Sequence, residues 1–363
     1  MQRKTLQKPD GRQLHLYSRS EITSASAPSP GADALHPNPH LRWHPLRAEW
    51  VTYAAQRQSR PFLPPSDYNP LAPTTSAEFP TELPQGNYEI AVFDNRFPSL
   101  ALEAHDPPES ITPTAAGIGH CEVVVFSQSS SDSLTTMELG KIELLLEVWT
   151  ERYRKIGALE HIQYVMPFEN RGVEMGVTLH HPHGQIYAYD HVPPVPAREL
   201  EQQRKFFDAH GRGLLEEVIG KELESRERIV VQAATVTAFI PAFARYPYEV
   251  WIAPIRSAPS LLELTDAERK DLALVLKTVL LKFDHLFPSR PIFPYLMVMH
   301  QAPTDGRAHP EAHFHMEFYP PYRTKDKLKY LAGTELGAGL VAMDVLPEDK
   351  AVDLRAVDVE EYL

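Results

Sequence analysis

The side chains best suited to chemistry stand in one run near the middle of the chain, His181-Pro182-His183-Gly184-Gln185. Side chains alternate between the two faces of an extended chain, so His181, His183 and Gln185 are predicted to point the same way. Such a row is a poor core face, because each buried polar group needs a hydrogen-bond partner. It suits a phosphoryl group, since a neutral imidazole is a nucleophile near pH 7 and an amide can donate to phosphoryl oxygens.

Two plainer interpretations of a His-x-His pair stand beside this one. The pair can ligate a metal ion, or it can be two hydrogen-bonded histidines of the core. Gly184 is expected to let the backbone approach a ligand, and Pro182 to restrict the local backbone. The run by itself leaves these alternatives open.

The elements that must position this run occur twice along the chain. An apolar-periodic helix is predicted over residues 136–156, followed by strands over 161–168 and 177–189. The same order returns as a helix over 265–287, begun by a capping-box pattern, and strands over 293–299 and 312–319. Helices alternating with strand pairs predict an α+β fold with antiparallel sheets flanked by helices, and the recurring order suggests a duplicated unit.

The other segments are less regular. Strands are predicted over 89–93 and 122–126. Residues 22–40, rich in Ser, Ala and Pro, are expected to form a loop or tail. The proline-rich residues 63–86 are expected to form a long surface excursion.

Composition excludes several classes of function. The net charge of -12 argues against a nucleic-acid partner and against an anionic membrane surface. A single cysteine, Cys121, permits neither an internal disulfide nor a cysteine-based zinc cluster. No signal-peptide pattern and no run long enough to span a membrane is found, so a cytoplasmic protein is expected.

Longer motifs point to one family. Phe168-Glu169-Asn170, Met175-Gly176 and the run 181–188 together resemble the active-site segment of the galactose-1-phosphate uridylyltransferases, members of the histidine-triad superfamily. Further stretches that resemble this family are 42–51, 57–61, 92–97, 246–249, 300–303 and 318–321. The resemblance implies two duplicated histidine-triad-like units. Residues 1–195 would carry the nucleophile, and residues 196–363 a metal site and a sugar-binding segment.

The resemblance also implies a mechanism. His183 would attack the α-phosphorus of UDP-glucose and release glucose 1-phosphate. The uridylyl-histidine would then pass UMP to galactose 1-phosphate, giving UDP-galactose by ping-pong kinetics. The carbonyl of His181 would hold Nδ1–H of His183, so that Nε2 attacks, and Gln185 would hold the phosphoryl oxygens. Glutamine at this position favours transfer over hydrolysis, because the hydrolases of the superfamily have histidine there.

Other residues receive binding roles from the same resemblance. Arg57 and Arg60 would neutralise phosphate charge, a task that suits the guanidinium group. The remaining expected substrate contacts are Asn95, Phe97, Asn170 and Thr178 for the nucleotide, and Lys329 and Glu335 in the segment that binds hexose hydroxyls. Each also has a structural interpretation, as an exposed charge, a turn residue or a core aromatic.

Two metal sites occur in the family, and the sequence departs from both. The family's zinc-binding Cys-x-x-Cys pair falls at residues 69–72, which are Asn-Pro-Leu-Ala in this chain. The position of the family's histidine ligand is occupied by Ser130. Because only His181 remains of that ligand set, this zinc site is predicted absent, with loop packing in its place. For the second site the expected ligands of zinc or iron are Glu199, His300, His315 and Glu317, with His313 as a substitute. A hydrogen-bonded cluster without metal is the alternative.

Two other functions remain open at this point. One is a related nucleotidyltransferase or phosphorylase that acts on another sugar nucleotide, such as ADP-glucose, or on a dinucleoside polyphosphate. The other is a catalytically silent nucleotide-binding or scaffold protein, which the intact run 181–185 disfavours. The family resemblance also implies a homodimer whose active sites borrow residues from the partner.

Overall fold

The computed structural model describes residues 1–59, 68–290 and 292–363. The strands in chain order are β1 (Gln2–Gln7), β2 (Gln13–Ser18), β3 (His40–His44), β4 (Glu49–Tyr53), β5 (Ile90–Asp94), β6 (Thr114–Ala116), β7 (Gly119–Val125), β8 (Tyr164–Arg171), β9 (His183–Tyr189), β10 (Ile229–Gln232), β11 (Val236–Phe239), β12 (Val250–Pro254), β13 (Tyr295–His300), β14 (His315–Tyr319), β15 (Tyr322–Thr324) and β16 (Lys327–Leu328). The α-helices are α1 (Leu139–Gly157), α2 (Pro194–His210), α3 (Leu214–Ser225), α4 (Asp266–Leu286) and α5 (Pro347–Arg355). None of the helices in the described ranges combines the length and the apolar run that a bilayer crossing requires.

A single sheet of eleven strands forms the centre of the molecule. Its order is β1-β2-β5-β7-β9-β8-β13-β14-β12-β11-β10. Every neighbouring pair in it is antiparallel, which confirms the predicted α+β class. The two halves of the chain meet where β8 pairs with β13, for example at Phe168 opposite Val298. The two predicted units therefore share one sheet.

The predicted duplication is visible in the topology. The order α1-β8-β9 in the first half returns as α4-β13-β14 in the second, and β7 and β12 occupy matching places in the sheet. Helix α4 begins as the sequence predicted, because the Thr265 side chain accepts from Glu268 N while the Glu268 carboxylate accepts from Thr265 N. The boundary at residues 195 and 196 stays a prediction, and α2 runs across it.

Helices α1 and α4 cover one face of the sheet. Buried apolar side chains of both helices, among them Trp149 and Phe283, pack in one core cluster with side chains from both halves of the sheet. On the opposite face α3 packs through Leu215 and Ile219 against β11 and β12. This second face remains less covered in the first half, where the functional run lies.

The loop that covers this face in the first half corrects one prediction. The described part of the segment expected to be a surface excursion, residues 68–86, packs Leu71 and Leu83 against β2, β5 and β7. Both side chains are almost fully buried. Each is an isolated apolar residue in an aperiodic, proline-rich stretch, so no hydrophobic periodicity predicted that it would be buried. Residues 63–67 of the same prediction lie outside the described residues.

Several elements were not predicted at all. The N-terminal hairpin of β1 and β2, the helices α2 and α3, and the strands β10 to β12 lie in stretches that had been assigned no structure. The strand predicted over 177–189 begins only at His183. Residues 22–39 lack regular secondary structure, as expected.

A buried ion pair ties α1 to β7. Arg152 donates to both carboxylate oxygens of Glu122, with Nε–Oε2 at 3.0 Å and Nη2–Oε1 at 2.5 Å. Burial alone would raise the pKa of Glu122, but the charge of Arg152 and the hydrogen bond from His120 outweigh burial and lower that pKa to about 2. Removal of the arginine would leave a buried carboxylate without its counter-ion.

The variant Arg152→Met is therefore expected to lose about 3–5 kcal/mol of unfolding free energy at pH 7. The loss relative to wild type should shrink as the pH falls toward about 5, because the variant's Glu122 then takes up a proton while the wild-type carboxylate stays ionised. Urea unfolding at several pH values measures both effects. The double variant Glu122→Gln/Arg152→Met is the control, and it should be more stable than Arg152→Met. Equal stability of the single and the double variant would contradict the conclusion that Arg152 offsets a buried negative charge on Glu122.

Candidate active site

A cavity of about 290 Å³ opens beside β9, on the face that carries His183 and Gln185. Strand pairing sets this face, because Val125 lies opposite His183 and Val123 opposite Gln185. The four residues expected to contact a nucleotide all line the same cavity: Asn95, Phe97, Asn170 and Thr178. The structure thus gathers residues from three separate segments around His183.

The hydrogen bond of His183 defines its tautomer. Nδ1 of His183 lies 2.7 Å from the carbonyl oxygen of His181. Because a carbonyl oxygen can only accept, Nδ1 carries the proton and the ring lone pair resides on Nε2. This contact is the one that the sequence analysis expected.

The imidazole of His181 does not line the cavity that His183 and Gln185 share, although it lines, together with His183, a second cavity of about 740 Å³. Strand β9 begins at His183, and the ladder with β7 ends there, so strict alternation does not extend back to His181. The His181 ring is buried and does not line the cavity of about 290 Å³. Gln185 and the backbone carbonyl of His181 are the groups that accompany the nucleophile.

Both ring nitrogens of His181 have protein partners. Nε2 lies 2.6 Å from the carbonyl oxygen of Ser127, and Nδ1 lies 2.9 Å from Nδ2 of Asn69. Burial is the largest cause that lowers the pKa of His181 to about 4, so its ring is neutral near pH 7. Asn69 and Ala72 stand at the family's thiolate positions and offer no zinc ligand. The side chains here do not fit the family's first zinc ion.

Glycine is required at position 184 because of core packing, and not, as was predicted, because a ligand approaches the backbone. A Cβ at this position would lie 2.9 Å from both the Phe126 ring and the carbonyl oxygen of Phe168. Gly184 thus faces the core side of the sheet, and its missing side chain is required by packing against β8 and not by the ligand.

Of the two arginines predicted to bind phosphate, only Arg57 lies in the described residues; Arg60 lies outside them. Nη1 of Arg57 donates to Phe97 O at 2.7 Å and to the Tyr187 hydroxyl at 3.2 Å. Tyr187 follows Gln185 on the same face of β9. Arg57 therefore lies near the row, but it does not line the cavity.

Several other residues that line the cavity were not expected from the sequence. They come from the loop before β3, from the segment 68–86 and from strands β5 and β7, namely Pro30, Tyr68, Leu71, Glu82, Phe93 and Val123, with Arg96 beside them. Phe93 and Arg96 lay inside the stretch 92–97 that had been singled out. Val123 lay in the strand predicted over 122–126, and Pro30, Tyr68, Leu71 and Glu82 gave no signal, because they come from segments without periodicity.

Glu82, one of these lining residues, forms ion pairs with two buried cations. Its Oε2 accepts from Lys8 Nζ and from Arg12 Nη2, both at 2.8 Å. Burial is the main cause that lowers the pKa of Lys8. Arg12 also donates to the carbonyl of Asp94, the residue before Asn95. The missed N-terminal hairpin thus supports the floor of the cavity.

Lys329 and Glu335 lie elsewhere in the chain, and neither lines the cavity beside His183. Lys329 is buried, and its Nζ donates to Ala342 O at 2.7 Å. Backbone N–H groups of Glu335 itself, Ala332 and Ala342 lower the pKa of Glu335 to about 2. Their predicted contact with a hexose stays a prediction.

The four residues predicted to ligate a metal do come together in the second half. One ligand atom from each of Glu199, His300, His315 and Glu317 lies within 4.8 Å of the others. His300 Nδ1 is 2.7 Å from Glu199 Oε2, and His315 Nε2 is 3.3 Å from Glu317 Oε1. Burial alone would raise the pKa of Glu317, but the charges of His300 and His315 keep it below its usual value.

The donor chemistry of this cluster fits a metal ion. Nδ1 of His315 lies 2.9 Å from the carbonyl oxygen of His313, so its lone pair is on Nε2, which faces the cluster. Two imidazoles and two carboxylates suit zinc or iron. His313 is not among the clustered ligand atoms, since its Nε2 donates to Pro254 O at 2.9 Å.

Comparison with known proteins agrees with this geometry. The family model for the N-terminal domain of galactose-1-phosphate uridyl transferase matches residues 32–193, and the model for the C-terminal domain matches residues 199–362. A galactose-1-phosphate uridylyltransferase of Thermotoga maritima is 38% identical over 327 residues, covering 88% of this chain and 99% of that protein.

The fold is also similar to those of solved structures. One described as uridylyltransferase has a TM-score of 0.77 at 33% identity and covers 87% of this chain and 97% of that one. An ADP-glucose phosphorylase from Arabidopsis thaliana has a TM-score of 0.66 at 25% identity, with 89% of this chain and 100% of that one covered. From the family models and the T. maritima relative together, the chain belongs to the galactose-1-phosphate uridylyltransferase family.

Proposed function

We propose that the protein transfers UMP from UDP-glucose to galactose 1-phosphate through a covalent uridylyl group on His183. The observation that carries this proposal is the hydrogen bond from His183 Nδ1–H to the His181 carbonyl at 2.7 Å. It directs the lone pair of Nε2 toward the ligand side of β9, beside Gln185 and the cavity. Family membership supports the choice of substrates.

In the first step Nε2 of His183 attacks the α-phosphorus of UDP-glucose. The Nε2–P bond forms as the P–O bond to glucose 1-phosphate breaks, and the leaving phosphate departs with the electron pair. The uncharged His181 carbonyl accepts from Nδ1–H throughout and stabilises the positive charge that the ring acquires. The amide of Gln185 donates to a non-bridging oxygen of the phosphoryl group.

In the second step a phosphate oxygen of galactose 1-phosphate attacks the same phosphorus, and the Nε2–P bond breaks. His183 regains its lone pair, and UDP-galactose leaves. Both sugar phosphates thus use one site in turn, which is ping-pong kinetics. Arg57 and Arg60 are proposed to offset phosphate charge, Arg57 after exchanging its contacts with Phe97 and Tyr187.

A second copy of the chain is proposed to supply the hexose contacts. Glu335 and Lys329 lie outside the cavity of their own chain, so Glu335 would contact a sugar in a partner's site, positioned by the buried Nζ of Lys329 at 3.6 Å from its Oε1. The segment around them presents apolar side chains to solvent, with Tyr330, Leu336 and Leu340 each more than 60% exposed. Exposed apolar clusters of this kind mark interaction surfaces, which supports a homodimer.

Zinc or iron is proposed at the cluster of the second half, held by Glu199, His300, His315 and Glu317. Such an ion would neutralise two carboxylates, that of buried Glu317 and that of half-buried Glu199, and cross-link α2 to β13 and β14. The reaction needs no step at this site. A structural role is therefore assigned to it.

The second candidate function is phosphorolysis of ADP-glucose, which the similarity to the Arabidopsis phosphorylase favours. Asn95 argues for a uracil base instead. Its Oδ1 accepts from Phe97 N at 2.9 Å, so its Nδ2–H donors are left to face the cavity. Uracil offers carbonyl acceptors to such donors, whereas the corresponding edge of adenine offers an amino group.

Labelling tests the covalent step. Wild-type protein incubated with UDP-glucose labelled at the α-phosphorus should retain an acid-labile label and release a burst of glucose 1-phosphate. His183→Ala should retain no label and lose roughly 10⁴-fold or more in turnover. His191→Ala, a histidine just beyond β9, is the control and should label normally. A wild-type protein that labels with no nucleotide sugar would falsify the covalent mechanism.

Base preference is the second test. We expect kcat/KM for UDP-glucose to exceed that for ADP-glucose by at least about 10²-fold, because uracil presents two carbonyl acceptors to the Asn95 donors, whereas adenine presents a ring-nitrogen acceptor beside an amino donor. Asn95→Asp keeps the acceptor for Phe97 N but removes the donors, and it should reduce kcat/KM for UDP-glucose about 10-fold or more. Its effect on ADP-glucose should be small. Wild-type preference for ADP-glucose with phosphate would establish the phosphorylase instead.

Metal analysis is the third test. Protein purified after growth with added zinc and iron should contain close to one such ion per chain, and His300→Ala should lose most of it. Chelation should lower the melting temperature of wild type but not of His300→Ala. His285→Ala, a half-buried histidine outside the cluster, should keep its metal. Absence of metal from wild type would favour the hydrogen-bonded cluster.

A further inference from the structure

We infer that the side-chain amide of Asn69 is a positioning residue for the nucleophile: its N–H donor fixes His181, whose carbonyl orients His183. This inference rests on the proposed covalent role of His183. It assigns a catalytic contribution to a loop residue that touches neither the cavity beside His183 nor the reacting atoms. Four hydrogen bonds link Leu71, Asn69, His181, Ser127 and His183, and the chemistry of each partner fixes which atom donates.

The orientation of the Asn69 amide is set by its own loop. Oδ1 of Asn69 accepts from Leu71 N at 3.0 Å, so the nitrogen of the amide must be the atom that faces His181. Nδ2 lies 2.9 Å from Nδ1 of His181. An amide nitrogen can only donate, so Nδ1 of His181 accepts and carries no proton.

The opposite side of the His181 ring is fixed in the same way. Nε2 lies 2.6 Å from Ser127 O, and since a carbonyl can only accept, Nε2 carries the proton. Ser127 is itself held, because its hydroxyl accepts from Lys141 Nζ at 2.8 Å and donates to Asp132 Oδ2 at 2.5 Å. The ring is thus clamped in one tautomer and one orientation between a loop and the end of β7.

This clamp controls a backbone group, the His181 carbonyl, that lies just before β9. His181 precedes the strand; the last backbone bond from the β7 side is from Phe126 N to Pro182 O at 3.1 Å, so no ladder bond is made to His181 itself. The side-chain clamp supplies the constraint that the ladder does not. A small displacement of a catalytic group can cost about 10²-fold in rate, which makes the constraint consequential.

The second half of the molecule provides an internal comparison. His313 and His315 repeat the geometry, with His313 Nε2 donating to Pro254 O and His315 Nδ1 donating to His313 O, each at 2.9 Å. Nδ1 of His313, however, is buried without a hydrogen-bond partner among the described residues. The donor that Asn69 provides is present only in the half that carries the nucleophile.

Three variants separate the donor from the loop. Asn69→Asp keeps an oxygen for Leu71 N and removes the donor to His181, whereas Asn69→Ala removes both. Asn87→Ala is the matched control, because Asn87 also ties a loop through both ends of its amide, to Glu21 O and Thr23 N, and contacts no histidine. The measurements are the single-turnover rate of label transfer to His183, KM for UDP-glucose, the melting temperature and the ¹⁵N shifts of the histidine rings.

Asn69→Asp and Asn69→Ala are both expected to slow label transfer by about 10- to 100-fold with KM changed less than about 3-fold. The ¹⁵N spectrum of Asn69→Asp should show that His181 has lost its Nε2–H tautomer or gained a second proton. Asn87→Ala should label at the wild-type rate even if its melting temperature falls equally. Label transfer at the wild-type rate in Asn69→Asp would overturn the inference while leaving the covalent mechanism intact, whereas a wild type that never labels would refute both.

Discussion

The geometry of the active site depends on one hydrogen bond, from Nδ1–H of His183 to the carbonyl oxygen of His181. It places the lone pair on Nε2 and gives the ring a single orientation relative to the sheet. Most of what surrounds it serves that geometry. Pairing with β7 holds His183 on one side, and the contacts of His181 with Asn69 and Ser127 hold the acceptor on the other.

The second half shows how the same geometry acquires a different chemistry. His315 is oriented by His313 as His183 is by His181. Its Nε2, however, faces the carboxylate of Glu317, which takes the place of Gln185 in the repeat. Burial alone would lower the pKa of His315, but the carboxylates around it raise that pKa instead, because they favour a positive charge in the cluster. A metal cation that displaces the proton from Nε2 would meet the same demand.

The two faces of the shared sheet differ in role: one packs against helices, and the other carries the cavity. One face is closed by α1 and α4 across both halves. The other is closed by α3 in the second half and, in the first, by irregular segments that include residues 68–86 and Ile22. The segment 68–86 leaves room for the cavity beside β9, and buried Lys8 and Arg12 secure its Glu82. An open face with a rigid floor is what a nucleotide site requires.

The sequence by itself determined the local features: the shared face of His183 and Gln185, the capped helix α4 and the repeated helix–strand–strand order. These follow from side-chain period and capping chemistry, which act over a few residues. Only the tertiary structure decided where the His181 ring lies, why residue 184 is glycine and that Leu71 is buried. Each of these depends on distant partners, and Asn69 and His181 are 112 residues apart in the chain. No local pattern encodes such a contact, because folding alone brings its members together.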